Sequence, residues 1–158
     1  MNKIASFTVN HLDLLAGVYV SRKDYQGDVV LTTFDLRFTR PNVEAPMDTA
    51  GIHSIEHLMA TFLRNNKEWA DKTIYFGPMG CQTGFYLLVR DMDAKDVFEL
   101  TKKILKQTIE HDGDVFGKSA IECGHYENLD IELAKEECRT YLEVLENQTN
   151  MEFTYPTE

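Results

Sequence analysis

Residues 51–58, which read GIHSIEHL, place two histidines four positions apart inside an amphipathic segment. On a helix, which turns by about 100° per residue, His53 and His57 lie about 40° apart on one face and one turn apart along the axis. Two imidazole nitrogens at this spacing can reach one metal ion. Glu56 lies three positions after the first histidine, so its carboxylate points to the same side and can move a proton on whatever the metal binds. The motif favours a metal-binding helix, although such pairs also occur on plain surfaces and in cores.

The hydrophobic pattern around this motif predicts a mixture of strands and helices. Alternation with a period of two predicts strands, and apolar residues at helical spacing predict helices. The strands are expected at residues 4–9, 29–38, 73–76 and 85–90, and the helices at about residues 49–65, 93–111 and 131–146. Consecutive strands joined by turn-rich segments favour an antiparallel β-sheet covered on one face by helices, an α+β fold. A length of 158 residues predicts one domain, residues 1–158.

Two details of this pattern leave alternatives open. Asp35 and Arg37 lie on the polar face of the strand at residues 29–38, where they form either a solvated pair or part of a ligand-facing surface. Cys138 lies inside the apolar stripe of the last helix, where we expect a small buried hydrophobic side chain rather than a ligand.

Charge and composition exclude several classes of partner. The formal net charge of −10 argues against binding to nucleic acid or to an anionic membrane. Polar residues interrupt the apolar stretch near the N-terminus, and no apolar run is long enough to span a bilayer, so we expect a cytoplasmic protein. Three cysteines without framework spacing favour free thiols or metal ligands over disulfides.

A catalytic metal site normally has three protein ligands and one open position, so the histidine pair needs a third ligand. Cys123 is one candidate, because the following Gly124 lets the backbone turn closely in a short non-helical segment. Cys81 is the other candidate, and its place in the glycine-framed segment 77–84 also suits a reactive thiol.

Two different classes of protein also fit these residues. The order HxxEH occurs in inverted zinc metallopeptidases, in which the glutamate activates water and a distant carboxylate is the third ligand. Alternatively, His53, His57, Cys81 and Cys123 together would close a structural zinc site that has no open position and no activity.

Five sequence blocks, in order, resemble the S-ribosylhomocysteine lyase family over nearly the whole chain. They are SFTVNH at residues 6–11, FDLRF at 34–38 followed by PN at 41–42, GIHSIEHL at 51–58, PMGCQTGFY at 78–86 and CG at 123–124. This family makes the precursor of the quorum-sensing signal autoinducer-2 within the activated methyl cycle. The resemblance implies carbonyl migration along the ribose of S-ribosylhomocysteine, followed by β-elimination to homocysteine and 4,5-dihydroxy-2,3-pentanedione.

The resemblance also assigns roles to individual residues. It implies a metal ion, usually Fe²⁺ in this family, for which zinc or cobalt could substitute in a site of two histidines and one cysteine. It further implies a homodimer with active sites at the subunit interface. The implied metal ligands are His53, His57 and Cys123, the implied proton carriers are Cys81 and Glu56, and the residues implied to line the ribose end of the pocket are Ser6, His11 and Arg37.

Overall fold

The computed structural model describes residues 1–156, which form a four-stranded antiparallel sheet and three α-helices. The sheet has the strand order β1-β2-β4-β3. The strands are β1 (Gly17–Gln26), β2 (Val29–Arg37), β3 (Thr73–Pro78) and β4 (Gly84–Arg90), and the helices are α1 (Thr49–Arg64), α2 (Ala94–Glu110) and α3 (Ile131–Glu146). The expected α+β architecture, with an antiparallel sheet, is confirmed.

The core lies between one face of the sheet and the three helices. Phe34 pairs with Leu87 and Leu36 pairs with Phe85 across β2 and β4, and all four side chains are buried. Tyr141 of α3 stacks on Phe38 at the end of β2, with ring centroids 3.9 Å apart. Alternation in the strands therefore places apolar residues under the helices and leaves the polar row of β2 on the opposite face.

Helix α1 begins and orients itself as its sequence predicts. The Asp48 side chain accepts a hydrogen bond from the Ala50 backbone N–H at 2.8 Å, which caps the helix. Ile52, Ile55 and Met59 are buried against the core. Because this apolar stripe fixes the rotation of the helix, the histidine face of α1 turns towards the segment that connects α2 to α3.

The N-terminal part of the chain differs from the sequence-based prediction. The strand predicted at residues 4–9 is wrong, since Ala5–Phe7 form a 3₁₀ helix. The Thr8 side chain and backbone N–H both donate to the Ala5 carbonyl, and these local bonds replace pairing with a sheet. Strand β1 was not predicted, because charged residues follow its first apolar positions. In the structure its register also shifts between Val20 and Arg22.

Among residues 1–156, no helix is both long enough and apolar enough to cross a membrane.

Candidate metal centre and active site

Three side chains from two parts of the chain form a group suited to a metal ion. His53 and His57 project from α1, and Cys123 comes from the segment between α2 and α3. Their ligand atoms all lie within 4.8 Å of one another, and Cys123 Sγ lies 3.4 Å from His53 Nε2. The three side chains are half-buried, so they are accessible from the surface.

Backbone carbonyls fix the orientation of both imidazoles. His53 Nδ1 donates to the Asn128 carbonyl at 2.9 Å, and His57 Nδ1 donates to the Phe116 carbonyl at 2.7 Å. A ring nitrogen that donates to a carbonyl carries the ring proton, so each Nε2 keeps a free lone pair. This arrangement is the usual outer-shell support of metal-binding histidines.

Local contacts hold in place the segment that supplies these carbonyls. Gly117 has φ = +70°, and an added Cβ would lie 3.3 Å from His57 Nδ1, so glycine allows the close approach to the ring. The Asp130 backbone N–H donates to Ser54 Oγ at 2.6 Å, which ties the end of the segment to α1. The His125 backbone N–H donates to Cys123 Sγ at 3.4 Å, which helps to orient this side chain.

The donor set fits a metal ion. A tetrahedral ion with metal–nitrogen bonds of about 2.0 Å and metal–sulfur bonds of about 2.3 Å holds its ligand atoms roughly 3.3–3.8 Å apart. The Cys123–His53 separation of 3.4 Å lies in this range, and free imidazole and thiolate donors suit zinc, iron or cobalt. Three protein ligands also leave a coordination position open, as in catalytic sites.

The residues that belong to this group distinguish between the types of metal site that the sequence left open. Among the residues that the structure describes, the group has three members, and Cys81 is not one of them. The four-ligand structural zinc site predicted from both cysteines is therefore absent from this geometry. The third candidate ligand is the Cys123 thiol, whereas an inverted metallopeptidase would use a carboxylate.

Glu56 shares a cavity with one of these ligands. The cavity has a volume of ≈ 260 Å³, and His53, Glu56, Met79 and Gln82 contribute to its lining. Glu56 is half-buried on α1 and opens into the same space as His53. A substrate in this cavity can therefore meet the Glu56 carboxylate and the ligand group together.

Cys81 lies in the turn between β3 and β4. Its side chain is exposed, and its Sγ lies 3.1 Å from Thr83 Oγ1. Cys81, Thr83 and His11 contribute to the lining of a second cavity of ≈ 350 Å³. The structure therefore brings Cys81 and His11 together at this second cavity. Gly80 and Gln82, from the same turn as Cys81, line the first cavity, which contains His53 and Glu56.

Asp35 and Arg37 form a buried ion pair on the face of the sheet opposite the helices. Arg37 donates to Asp35 through Nε at 3.1 Å and through Nη2 at 2.6 Å, and the two residues are only 3% and 0% exposed. The solvated-pair alternative is therefore wrong. Burial lowers the pKa of Arg37, but the Asp35 carboxylate, together with Cys81 and Tyr155, raises it overall, so the guanidinium stays charged.

The second guanidinium nitrogen of Arg37 reaches the Cys81 turn. Nη1 donates to Thr83 Oγ1 at 2.8 Å and lies 3.9 Å from Cys81 Sγ. The positive charge of Arg37 therefore lies beside the Cys81 turn. This proximity supports the ligand-facing alternative for Arg37.

The remaining predicted residues lie away from these contacts. Ser6 is half-buried in the 3₁₀ helix Ala5–Phe7, and its predicted role stays a prediction. Cys138 is fully buried in α3 as expected, and burial raises the pKa of its thiol far above the usual range. The sequence does not reveal the roles of the Phe116 and Asn128 carbonyls, because a backbone oxygen has no side-chain signature; Gly117 is the one local sign.

Comparisons with known proteins identify the family of this chain. The model of the family described as S-Ribosylhomocysteinase (LuxS) matches residues 4–152. A protein named S-ribosylhomocysteine lyase from Clostridium beijerinckii is 54% identical over 99% of each chain, and one from Finegoldia magna is 51% identical over 99% of each chain. A third, from Desulfotalea psychrophila, is 51% identical over 99% of this chain and 100% of its own. This chain therefore belongs to the S-ribosylhomocysteinase (LuxS) family.

Proposed function

We propose that this chain cleaves S-ribosylhomocysteine to homocysteine and 4,5-dihydroxy-2,3-pentanedione, the precursor of autoinducer-2. Membership in the family and the printed names of its relatives support this activity. The structural observation that carries the proposal is the ligand group of His53, His57 and Cys123, with Glu56 opening into the adjacent cavity.

The chemistry of the substrate explains why such a site is needed. The carbon–sulfur bond is at C5 of the ribose, whereas the carbonyl is at C1, so the proton on C4 is not acidic. Moving the carbonyl to C3 makes the C4 proton acidic and places the sulfur in the β position. Each migration removes a proton from the carbon next to the carbonyl and returns one to the former carbonyl carbon.

We assign the metal site to His53, His57 and Cys123, and we propose Fe²⁺ as the resident ion, with zinc or cobalt as substitutes. When bound, such an ion supplies Lewis-acid polarisation of the sugar oxygens without a change of oxidation state. The two carbonyl-bound imidazoles and the Cys123 thiol hold their free donor atoms ready for this role. The choice of iron rests on the family resemblance.

We assign proton transfer to Cys81 and Glu56. The exposed Cys81 thiol, beside the Arg37 guanidinium, is suited as a thiolate to take a carbon-bound proton and return it to the neighbouring carbon. The Glu56 carboxylate, in the cavity shared with His53, is suited to move protons between neighbouring oxygens. In the last step a proton leaves C4, the C5–sulfur bond breaks, and the thiolate that leaves takes up a proton to become homocysteine.

The substrate-binding proposals concern the second cavity. His11 lines it together with Cys81, and Arg37 reaches the same turn, so both are placed to contact the ribose. Ser6 lies a few residues before His11 and is proposed for the same role.

We further propose a homodimer with the active sites at the subunit interface, which also covers five exposed apolar residues. Ile4, Phe7, Leu12, Leu15 and Val43 are 56–70% exposed, although they are large and apolar. An apolar surface of this kind typically marks a protein–protein contact.

The free state of all three cysteines suits the proposed cytoplasmic location.

The activity is tested by anaerobic incubation of the iron- or cobalt-loaded protein with S-ribosylhomocysteine. We expect one free thiol and one 4,5-dihydroxy-2,3-pentanedione for each substrate consumed, measured by thiol titration and by NMR of the product. A protein that holds one metal per chain and releases no thiol would contradict the proposal.

Glu56→Gln is expected to retain the metal but to lower kcat by about 10²- to 10⁴-fold, because the amide cannot accept a proton. The substrate should then stall as a partly isomerised ketose, visible as a carbonyl signal by NMR. Glu68→Gln, at an exposed position outside this cavity, is the matched control and should have wild-type kcat. Wild-type turnover of Glu56→Gln would remove Glu56 from the mechanism.

A further inference from the structure

The chain returns to the sheet after α3 and lies along β1. The Val20 backbone N–H donates to the Phe153 carbonyl at 2.7 Å, which joins this tail to the strand. The Phe153 side chain is 1% exposed and packs against Phe98 of α2, with ring centroids 5.5 Å apart. The tail, residues 149–156, is therefore part of the folded domain as far as the structure describes it.

Within the tail, Tyr155 reaches the polar face of the sheet. Its hydroxyl donates to Asp35 Oδ2 at 2.7 Å, and its ring stacks on Tyr19 with ring centroids 5.3 Å apart. Asp35 Oδ2 also accepts from Arg37 Nη2, and Asp35 Oδ1 accepts from Arg37 Nε. Both carboxylate oxygens of a fully buried aspartate are thus occupied, and among the described residues Tyr155 supplies the one side-chain hydrogen bond to this carboxylate from outside the ion pair.

The hydrogen bonds continue from this carboxylate to the Cys81 turn. Arg37 uses its remaining nitrogen, Nη1, to contact Thr83 Oγ1 at 2.8 Å, and it lies 3.9 Å from Cys81 Sγ. Asp35 sets the plane of the guanidinium, because the two parallel bonds permit little rotation. A contact that fixes the Asp35 carboxylate therefore also fixes the position of the positive charge beside Cys81.

We propose that Tyr155 is a positioning residue for Cys81, acting through Asp35 and Arg37. By donating to Asp35 Oδ2, the hydroxyl holds the carboxylate plane, and the carboxylate in turn holds the Arg37 guanidinium beside the Cys81 sulfur. Without the hydroxyl, the ion pair keeps its own hydrogen bonds but loses its anchor to the tail, so the guanidinium is held less firmly beside the Cys81 turn.

The Tyr155 hydroxyl is suited to this role because it keeps its proton. Burial, followed by the Asp35 carboxylate, raises the pKa of Tyr155 far above its usual range. It is therefore a permanent donor. This role rests on the proposed function, because it assumes that the Cys81 thiolate carries protons in the reaction.

The test is Tyr155→Phe, which removes the hydroxyl and keeps the stacked ring. In the cobalt-loaded protein we expect the rate of Cys81 alkylation by iodoacetamide, followed by peptide mass spectrometry, to fall about 3- to 10-fold. We expect kcat of the lyase reaction to fall by a similar factor, with KM and cobalt content unchanged. Tyr25→Phe, which removes an exposed hydroxyl at the far end of β1, is the matched control and should leave both rates unchanged.

A double-mutant cycle separates positioning from general loss of stability. Asp35→Asn should slow Cys81 alkylation at least as much as Tyr155→Phe does, and adding Tyr155→Phe to it should slow alkylation no further. Unchanged alkylation in Tyr155→Phe, or effects that add in the double variant, would overturn the proposal. If Asp35→Asn does not fold, Tyr155→Phe against Tyr25→Phe decides alone.

The two readouts also distinguish this inference from the proposed function. Alkylation of Cys81 needs no substrate, so it reports on the network even in a protein without lyase activity. A wild-type protein that is silent with S-ribosylhomocysteine would contradict the proposed function, whereas slowed alkylation in Tyr155→Phe would still support the positioning role.

Discussion

Cys123→Ala is expected to release the metal and to reduce lyase activity to background. The thiol is one of three ligand atoms in the group, and two imidazoles alone leave the ion without its anionic donor. The loss of affinity should exceed the roughly 10- to 100-fold effect of losing an outer-shell partner. The measurement is metal content per chain, by inductively coupled plasma mass spectrometry after dialysis of the loaded protein.

Cys138→Ala is the matched control for this variant. Its thiol is fully buried in α3, away from the ligand group, so the variant should keep one metal per chain and its activity. Far-ultraviolet circular dichroism should show that Cys123→Ala is folded, since Cys123 lies in an irregular segment outside the hydrophobic core. A Cys123→Ala protein that retains one tightly held metal would contradict the assigned ligand set.

Cys81→Ala is expected to produce the opposite combination, with full metal content and no measurable turnover. Cys81 lies outside the ligand group, so its loss leaves all three donor atoms in place. Loss of a general acid–base group typically reduces the rate by about 10²- to 10⁴-fold, and we expect the upper end because Cys81 is proposed to serve more than one proton transfer. Steady-state thiol release, with metal content measured on the same sample, checks both parts.

Cys81→Ser distinguishes acid–base chemistry from packing. The serine hydroxyl can keep the contact to Thr83, but it is a far weaker acid than a thiol, so this variant should be as inactive as Cys81→Ala. Loss of metal from either variant would make Cys81 a ligand. Turnover near the wild-type rate in either variant would exclude Cys81 as a proton carrier.

The elements that the sequence predicted best are those with strong local signals. The three helices carry apolar residues at helical spacing, and each is found within one residue of its predicted bounds, although Asp93, expected to cap α2, makes no side-chain capping bond. Strand β2 alternates clearly and is found within one residue of its predicted end. The errors lie at the N-terminus, where residues 4–9 satisfy their hydrogen bonds locally and the charged second half of β1 hides a hairpin with β2 across the two-residue turn at Gly27 and Asp28.

The site was predictable to the extent that spacing and residue type define it. Helical spacing was enough to place His53, Glu56 and His57 on the same side of α1, but it could not choose between Cys81 and Cys123 as the third ligand. That choice depends on how the segment after α2 folds back on α1, through carbonyl contacts that leave no side-chain pattern. Similarly, the burial of Asp35 depends in part on Tyr155, which is 120 residues away in the chain.

Titration of the metal-free protein with Co²⁺ is the most direct test of whether the metal site proposed at His53, His57 and Cys123 is required for carbon–sulfur cleavage. Thiol release from S-ribosylhomocysteine should be absent without metal, rise in proportion to added cobalt, and stop rising at one ion per chain. Substantial activity in the metal-free protein, or no activity in a protein that holds one cobalt per chain, would contradict the account.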